Sequence, residues 1–144
     1  MSNSVLILNG PNLNMLGTRE PERYGRDTLS QIEDRCRKLG AKLGWEIDFR
    51  QSNNEGELVT WVQEATQVHQ AIILNAGAYT HTSIAIHDAL KASGVSVIEV
   101  HLSNIFQREE FRQTSYISGL ADGVICGFGG VGYELALRTL AVNK

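Results

Sequence analysis

The chain has 144 residues, 42% of them hydrophobic and 20% charged, which predicts a single globular domain over residues 1–144 with a sizeable core. The formal net charge of −3 provides no general basic field and argues against nucleic acid as a partner. No apolar run approaches the roughly 20 residues of a membrane span, and the N-terminus lacks a signal-peptide layout, so we expect no membrane association and a cytoplasmic location.

The first apolar run, VLIL at 5–8, is followed directly by a long polar loop. This loop, NGPNLNMLGTREPERYG at 9–25, is longer than a connection within an α/β unit requires. Four residues are expected to anchor it to the rest of the domain: Leu13, Met15, Leu16 and Tyr24. We therefore interpret the loop as functional rather than disordered.

Helical patterns then alternate with short β-branched runs. The first helix is predicted over 28–44, where apolar residues recur at three- and four-residue steps and Thr28 with Gln31 resembles a capping box. The second is predicted over 55–68, with Asn54 as its cap. Further helices are predicted near 82–93, 107–113 and 131–142. Further strands are predicted at 45–51, 71–74, 95–100 and 123–126.

Strands that alternate with helices indicate parallel pairing through right-handed crossovers. Continuous apolar runs are typical of a sheet that is covered on both faces. We therefore predict an α/β fold with a doubly wound, five-stranded parallel sheet in the flavodoxin-like order 2-1-3-4-5.

Polar residues follow three strands that this order makes neighbours. Asn9 follows the first predicted strand, Asn75 the third and His101 the fourth. In an open parallel sheet, ligands bind outside the carboxyl ends of the strands, near the point where the order reverses. Asn and Gly also form ordinary turns, but that explains one strand end more easily than three. We favour a binding site at this edge.

The glycine cluster GFGGVG at 127–132 matches the pattern G-x-G-x-x-G of dinucleotide-binding folds. That fingerprint also requires an acidic residue about 20 positions later within a βαβ unit, whereas only twelve residues follow Gly132. We reject the dinucleotide interpretation and favour close helix–strand packing, with a small anion at the helix N-terminus left open.

No metal or redox motif is found, and we expect no metal and no other cofactor. The four histidines lack metal-ligand spacing: His69, His81, His87 and His101. Cys36 and Cys126 are interpreted as buried free thiols. Arg108 and Arg112 are four positions apart, so a helix would place both on one face. Guanidinium groups in an acidic protein suggest an anionic small molecule, most simply a carboxylate.

Four segments in order along the chain resemble type II 3-dehydroquinate dehydratase, the type II dehydroquinase: NGPNLNMLGTREPERYG, NAGAYTHTS, EVHLSN and REEFRQTSYIS. The resemblance implies the fold predicted above and the loss of water from 3-dehydroquinate to give 3-dehydroshikimate. It also implies an enolate intermediate, no metal or imine, and a role in aromatic amino acid biosynthesis or quinate breakdown. The implied assembly is a homo-oligomer, a dodecamer built from trimers.

For proton transfer, the resemblance implies Tyr24 as the base, His101 as the acid and Glu99 as the residue that orients His101. Arg19 and Arg108 would lower the pKa of Tyr24. The long first loop would then be a lid that carries the base over the substrate.

For binding, the resemblance implies that Asn12 holds a water that stabilises the enolate. Six residues would contact the hydroxyls and the carboxylate: Asn75, His81, Asp88, Leu102, Ser103 and Arg112. The chain departs from the family pattern at Ala76, His87 and Phe106, where Pro, Arg and His are frequent. Two alternatives remain: a binding module for a phosphate-bearing ligand that uses the glycines at 127–132, and a structural oligomer without catalysis.

Overall fold

A computed structural model describes residues 3–18, 20–24 and 26–142 of the chain, with the backbone alone at residues 23 and 24. It confirms the predicted α/β fold. Five parallel strands form one sheet in the order β2-β1-β3-β4-β5. The strands are β1 Asn3–Asn9, β2 Trp45–Gln51, β3 Ala71–Asn75, β4 Ser96–His101 and β5 Gly123–Cys126.

The α-helices are α1 Pro21–Tyr24, α2 Leu29–Leu43, α3 Glu55–Val68, α4 Ile84–Ser93 and α5 Val131–Val142. Both predicted caps are confirmed. Thr28 and Gln31 form a reciprocal capping box at the start of α2, and Asn54 Oδ1 accepts a hydrogen bond from the Glu57 N–H at 3.0 Å.

The helix predicted over 107–113 is wrong. The chain forms two separate 3-10 helices there, Ile105–Gln107 and Glu110–Gln113. Arg108 and Glu109 between them have extended backbone, with ψ of −165° and 149°, and this interrupts any continuous helix. Two further 3-10 helices, Leu13–Met15 and Gly77–His81, follow β1 and β3.

Helices cover both faces of the sheet, as the apolar strand runs predicted. Successive β1 residues point to opposite faces, so Val5 and Ile7 belong to one core cluster and Leu6 and Leu8 to the other. The first cluster contains side chains from α2 and α5, and the second contains side chains from α3 and α4. The helices do not cover the carboxyl edge of the sheet, where loops follow the ends of the strands.

The long loop after β1 is anchored by fewer residues than predicted. Leu13 and Leu16 are buried in the core, but Met15 is 47% exposed, so its predicted anchoring role is wrong. The side chain of Tyr24 lies outside the described residues. The 3-10 turn lets Leu13 and Leu16 face inward and leaves Met15 on the outside.

The glycine cluster packs closely, as predicted. A Cβ atom at Gly130 would lie 2.7 Å from Arg35 Nη2 and 2.9 Å from Ile32 Cγ1 on α2. A Cβ at Gly132 would lie 3.3 Å from Val100 Cγ1 on β4. Within the described part of the chain no strand follows α5, so no dinucleotide-binding βαβ unit forms there.

The two cysteines differ in burial. Cys36 lies in the core, where burial raises the pKa of its thiol to about 12. Cys126 is only half-buried because it ends β5, the edge strand, so its predicted burial is wrong. Over residues 3–18, 20–24 and 26–142, no helix is long and apolar enough to cross a membrane. The same residues contain no group of three or more His, Cys, Asp or Glu that could hold a metal ion.

Candidate active site

The loops that follow β1 and β3 pack against each other without an intervening side chain. The Gly10 N–H donates to the Asn75 carbonyl at 2.8 Å, and a Cβ atom at Gly10 would lie 2.3 Å from the Ala76 carbonyl oxygen. Asn12 adopts a left-handed conformation with φ of 69°, which asparagine tolerates better than most residues. These contacts form one wall of a cleft at the carboxyl edge of the sheet.

The cleft has a volume of about 70 Å³ and is open to solvent. Eight residues that were predicted for the site line it: Asn12, Asn75, His81, His101, Leu102, Ser103, Arg108 and Arg112. Five lining residues were not predicted: Pro11, Leu13, Gly77, Ala78 and Ile105. Most of these five flank predicted residues in the same loops, which is the signal that could have identified them.

His101 ends β4, and its ring is held by Glu99 two residues earlier on the same strand. The Nε2 atom of His101 lies 2.5 Å from Glu99 Oε2, and both side chains are almost fully buried. Residues i and i+2 of a strand project from the same face, which explains how the two side chains meet. The second ring nitrogen, Nδ1, is left for a ligand in the cleft.

Glu99 is satisfied by two serines that the sequence analysis did not assign to the site. Ser115 Oγ donates to Oε2 at 3.0 Å, and Ser118 Oγ donates to Oε1 at 2.5 Å. Burial by itself would raise the pKa of Glu99, but the hydrogen bonds from His101, Ser118 and Ser115 outweigh it, and the pKa lies below the ordinary glutamate value. An ionised Glu99 accepts only, so the hydrogen between it and His101 belongs to Nε2.

His81 lies next to His101 in the lining of the cleft. Their rings stack at a centroid distance of 6.3 Å and an interplanar angle of 20°. The Nδ1 atom of His81 donates to the Thr114 carbonyl oxygen at 2.7 Å, which leaves Nε2 as an acceptor. Burial lowers the pKa of His81 and outweighs the opposing effect of the bond to Thr114. The ring is therefore neutral near pH 7.

Two guanidinium groups also line the cleft. The side chain of Arg108 is 9% exposed, and its Nη1 donates to Ser103 Oγ at 3.3 Å. The side chain of Arg112 is 18% exposed, and its Nε donates to Glu109 Oε1 at 3.1 Å. Their predicted placement on one helical face is wrong because no continuous helix exists, yet both line the same cleft. Two largely buried cations make the cleft suited to an anion.

Of the described residues that the sequence analysis considered for the site, Asn9, Asp88 and Glu99 do not line the cleft. Asp88 is exposed on α4, which packs on one face of the sheet, so nothing in this chain brings it to the cleft. Arg19 and the Tyr24 side chain lie outside the described residues, and their predicted roles stay predictions. Asn9, at the end of β1, is fully buried beneath the cleft.

The chain is similar to proteins of one enzyme family. The family model described as "Dehydroquinase class II" matches residues 3–141. A relative from Brucella canis named 3-dehydroquinate dehydratase is 55% identical over 141 residues, which cover 98% of this chain and 90% of the relative.

Solved structures give the same result. The crystal structure of the type II dehydroquinase from Propionibacterium acnes superposes with a TM-score of 0.94 at 43% identity and covers 99% of this chain and 98% of that one. The type II dehydroquinase from Butyrivibrio crossotus also gives 0.94, at 39% identity, and covers 96% and 97% of the two chains.

Proposed function

The chain belongs to the class II dehydroquinase family, and from that premise we propose that it is a hydro-lyase that converts 3-dehydroquinate into 3-dehydroshikimate and water. The family predicted from the four sequence segments is thereby confirmed. The observation that carries the proposal is the buried Glu99–His101 pair, which opens into a cleft that also contains the guanidinium groups of Arg108 and Arg112.

The proposed reaction begins with removal of a proton beside the ketone of the substrate, which is a β-hydroxy ketone. The resulting enolate expels the hydroxyl group, and an acid must protonate that group as it leaves. His101 is placed for this step because Glu99 accepts a hydrogen bond from Nε2 and fixes the ring, which leaves Nδ1 for the substrate in the cleft. Ser115 and Ser118 keep Glu99 ionised and therefore support the same step.

The proposed base is Tyr24, and this assignment rests on the sequence resemblance. A free phenol has a pKa of about 10, so only about a thousandth is ionised near pH 7. An opposite charge within about 4–6 Å lowers a pKa by about one to three. Arg108 is a largely buried cation of the cleft, and Arg19 shares the loop with Tyr24. We propose that these two guanidinium groups stabilise the phenolate.

The remaining lining residues have proposed binding roles. The backbone N–H groups of Leu102 and Ser103 and the guanidinium of Arg112 suit a carboxylate and a hydroxyl group. The neutral His81 offers Nε2 to a substrate hydroxyl, and Asn75 offers its amide. Asn12 is proposed to hold the water that stabilises the enolate.

No metal, imine or other cofactor enters the proposed reaction, because one acid and one base complete the elimination. Of the described residues that line the cleft, none is a lysine that could form an imine.

The direct test is the ultraviolet absorbance of the purified protein with 3-dehydroquinate, because the product is a conjugated enone. We expect an increase in absorbance that persists in the presence of a metal chelator. An increase that the chelator abolishes would contradict the metal-free mechanism. No increase at all would contradict the dehydratase assignment and favour the binding module or the structural oligomer.

We also propose that the protein acts in aromatic amino acid biosynthesis or quinate breakdown, in the cytoplasm, as a homo-oligomer that is a dodecamer built from trimers. Exposed apolar side chains support association with further copies, since large exposed apolar groups mark interaction surfaces. Phe106, Phe111 and Phe128 are 59%, 58% and 63% exposed, and Val131 is 49% exposed.

A further inference from the structure

A chain of hydrogen bonds runs from β2 through the buried core to the floor of the cleft. Asn9 Nδ2 donates to the Arg50 carbonyl oxygen at 3.0 Å, and the Tyr133 hydroxyl donates to Asn9 Oδ1 at 2.6 Å. Asn75 Nδ2 in turn donates to the Tyr133 hydroxyl oxygen at 3.0 Å. Asn9 and Tyr133 are fully buried, and neither lines the cleft, whereas Asn75 does.

The direction of every hydrogen bond in this series is fixed because the series begins at a backbone carbonyl oxygen, which can only accept a hydrogen bond. The Arg50 carbonyl requires the Nδ2 end of Asn9, so Oδ1 of Asn9 faces Tyr133 and requires its hydroxyl hydrogen. The phenol oxygen is then left to accept, which selects the Nδ2 end of Asn75. At the other end of this amide, Asn75 Oδ1 accepts from the Gly77 N–H at 3.2 Å.

Tyr133 is suited to this role because it stays a phenol. Full burial raises its pKa above the ordinary tyrosine value and outweighs the hydrogen bond from Asn75. Its hydroxyl therefore keeps the hydrogen that Asn9 requires.

We propose that Tyr133 is a positioning residue that acts through these hydrogen bonds. Together with the Gly77 N–H, it fixes the orientation of the Asn75 amide in the cleft. The Asn75 amide then presents one remaining Nδ2 hydrogen and one remaining Oδ1 lone pair to the substrate in a single orientation. The inference rests on the proposed function in that it takes Asn75 as a substrate-binding residue. Without these hydrogen bonds, only part of the population has the binding-competent amide, and the apparent affinity is multiplied by that competent fraction.

The first experiment compares Tyr133→Phe with the wild type in steady-state dehydration of 3-dehydroquinate. We expect KM to rise by roughly 3- to 10-fold, the effect of one lost buried hydrogen bond, and kcat to change by less than about twofold. Ser93→Ala is the control, because it removes hydrogen bonds to Leu90 and Val95 at the opposite edge of the sheet. An unchanged KM in Tyr133→Phe, or an equal rise in Ser93→Ala, would overturn the inference.

A double-mutant cycle tests whether Tyr133 acts through Asn75. In an Asn75→Ala background, Tyr133→Phe should change KM by less than about 1.5-fold, because no amide remains to orient. The same fold-change in both backgrounds would mean that Tyr133 acts by general packing and would overturn the proposal.

Asn9→Ala keeps the Tyr133 hydroxyl next to Asn75 but removes the acceptor that fixes the direction of the hydrogen bond between them. This variant also tests the inference if Tyr133→Phe fails to fold. It leaves the Tyr133 hydroxyl in place but frees its hydrogen to bond Asn75 Oδ1. Because the Gly77 N–H still favours the original orientation, we expect a mixture of the two orientations of the Asn75 amide. Neutron diffraction of wild type and Asn9→Ala shows which end of that amide carries the hydrogens. An amide with the same orientation in both proteins would overturn the inference. Because this readout needs no turnover, it distinguishes failure of the inference from failure of the proposed function.

Discussion

At the scale of single residues, the chemistry of the cleft depends on which ring nitrogen of each histidine is available. Glu99 holds Nε2 of His101 and leaves Nδ1, whereas the Thr114 carbonyl holds Nδ1 of His81 and leaves Nε2. The hydrogen bond from Nε2 to the carboxylate of Glu99 fixes the orientation of the His101 ring, while burial keeps His81 neutral. Two histidines of one cleft therefore have different proposed tasks, proton donation and hydrogen-bond acceptance.

Replacement of His101 by alanine tests the proposed acid. We expect kcat to fall by about 10² to 10⁴, the usual contribution of a general acid, with a much smaller change in KM. His87→Ala is a matched control, because that histidine lies on α4, outside the cleft lining, with its Nδ1 on the Tyr116 carbonyl. A kcat that is unchanged in His101→Ala would show that another group donates the proton.

The lowered pKa of Glu99 predicts a pH dependence of stability. A carboxyl group whose pKa is lower in the folded than in the unfolded protein stabilises the fold fully above the unfolded value, here 4.5, and loses this effect as pH falls through the folded pKa. The free energy of unfolding of the wild type should therefore decrease below about pH 4.5. Urea unfolding between pH 3 and pH 7 should show a shallower decrease for Glu99→Gln.

Glu46→Gln, at an exposed glutamate of β2, is the control for this experiment. Equal pH slopes for Glu99→Gln and the wild type would mean that Glu99 has no lowered pKa in the folded protein.

The proposed base is tested by Tyr24→Phe, which removes the ionisable hydroxyl and keeps the ring. We expect nearly complete loss of kcat with 3-dehydroquinate binding retained, as measured by calorimetry. Arg108→Ala should move the acidic limb of the kcat profile to higher pH, because a phenolate that lacks this cation forms only at higher pH. Substantial turnover by Tyr24→Phe would exclude the tyrosine as the base.

At the scale of elements, the cleft exists because loops from neighbouring strands approach without side chains between them. The loop after β1 contacts the loop after β3 at Gly10, and the segment after β4 carries Ser115 and Ser118 back to Glu99. Each loop by itself is irregular, but three loops in contact fix the positions of the site residues.

Gly10→Ala tests this close approach. Its Cβ would lie 2.3 Å from a backbone oxygen of Ala76, so the two loops must separate. We expect a loss of about 1–3 kcal/mol of stability, typical of overpacking, and a larger KM because Asn75 precedes Ala76. Gly119→Ala is the control, since a Cβ there would meet nothing within 4 Å. Thermal unfolding that is unchanged in Gly10→Ala would show that the loops separate at no cost.

At the scale of the whole molecule, the proposed assembly follows from the family resemblance and is supported by the exposed phenylalanines. Sedimentation velocity should give a mass near that of twelve 15.9 kDa chains, about 190 kDa. Phe128→Glu should reduce this mass, because a charge in an apolar interface is costly to bury. A monomeric wild type would contradict the proposed dodecamer.

The sequence alone was sufficient for the sheet, its strand order and most of the cleft. Apolar runs and helical periodicity report burial directly, so each strand was located to within two residues of its ends. Asn75 and His101 were found because parallel strands place their last residues at one edge. The helix predicted over 107–113 failed because local periodicity does not report the extended backbone at Arg108 and Glu109.

Only the tertiary structure shows the hydrogen bonds that hold the site residues in place. The hydrogen bond between Tyr133 and Asn9 joins residues 124 positions apart, and the serines that hold Glu99 lie 16 and 19 positions from it. No local pattern indicates such pairs, because the serine and tyrosine side chains would serve equally well on a surface or in a core. Packing of α5 against the sheet buries Tyr133, and once buried its hydroxyl must find a donor and an acceptor within reach.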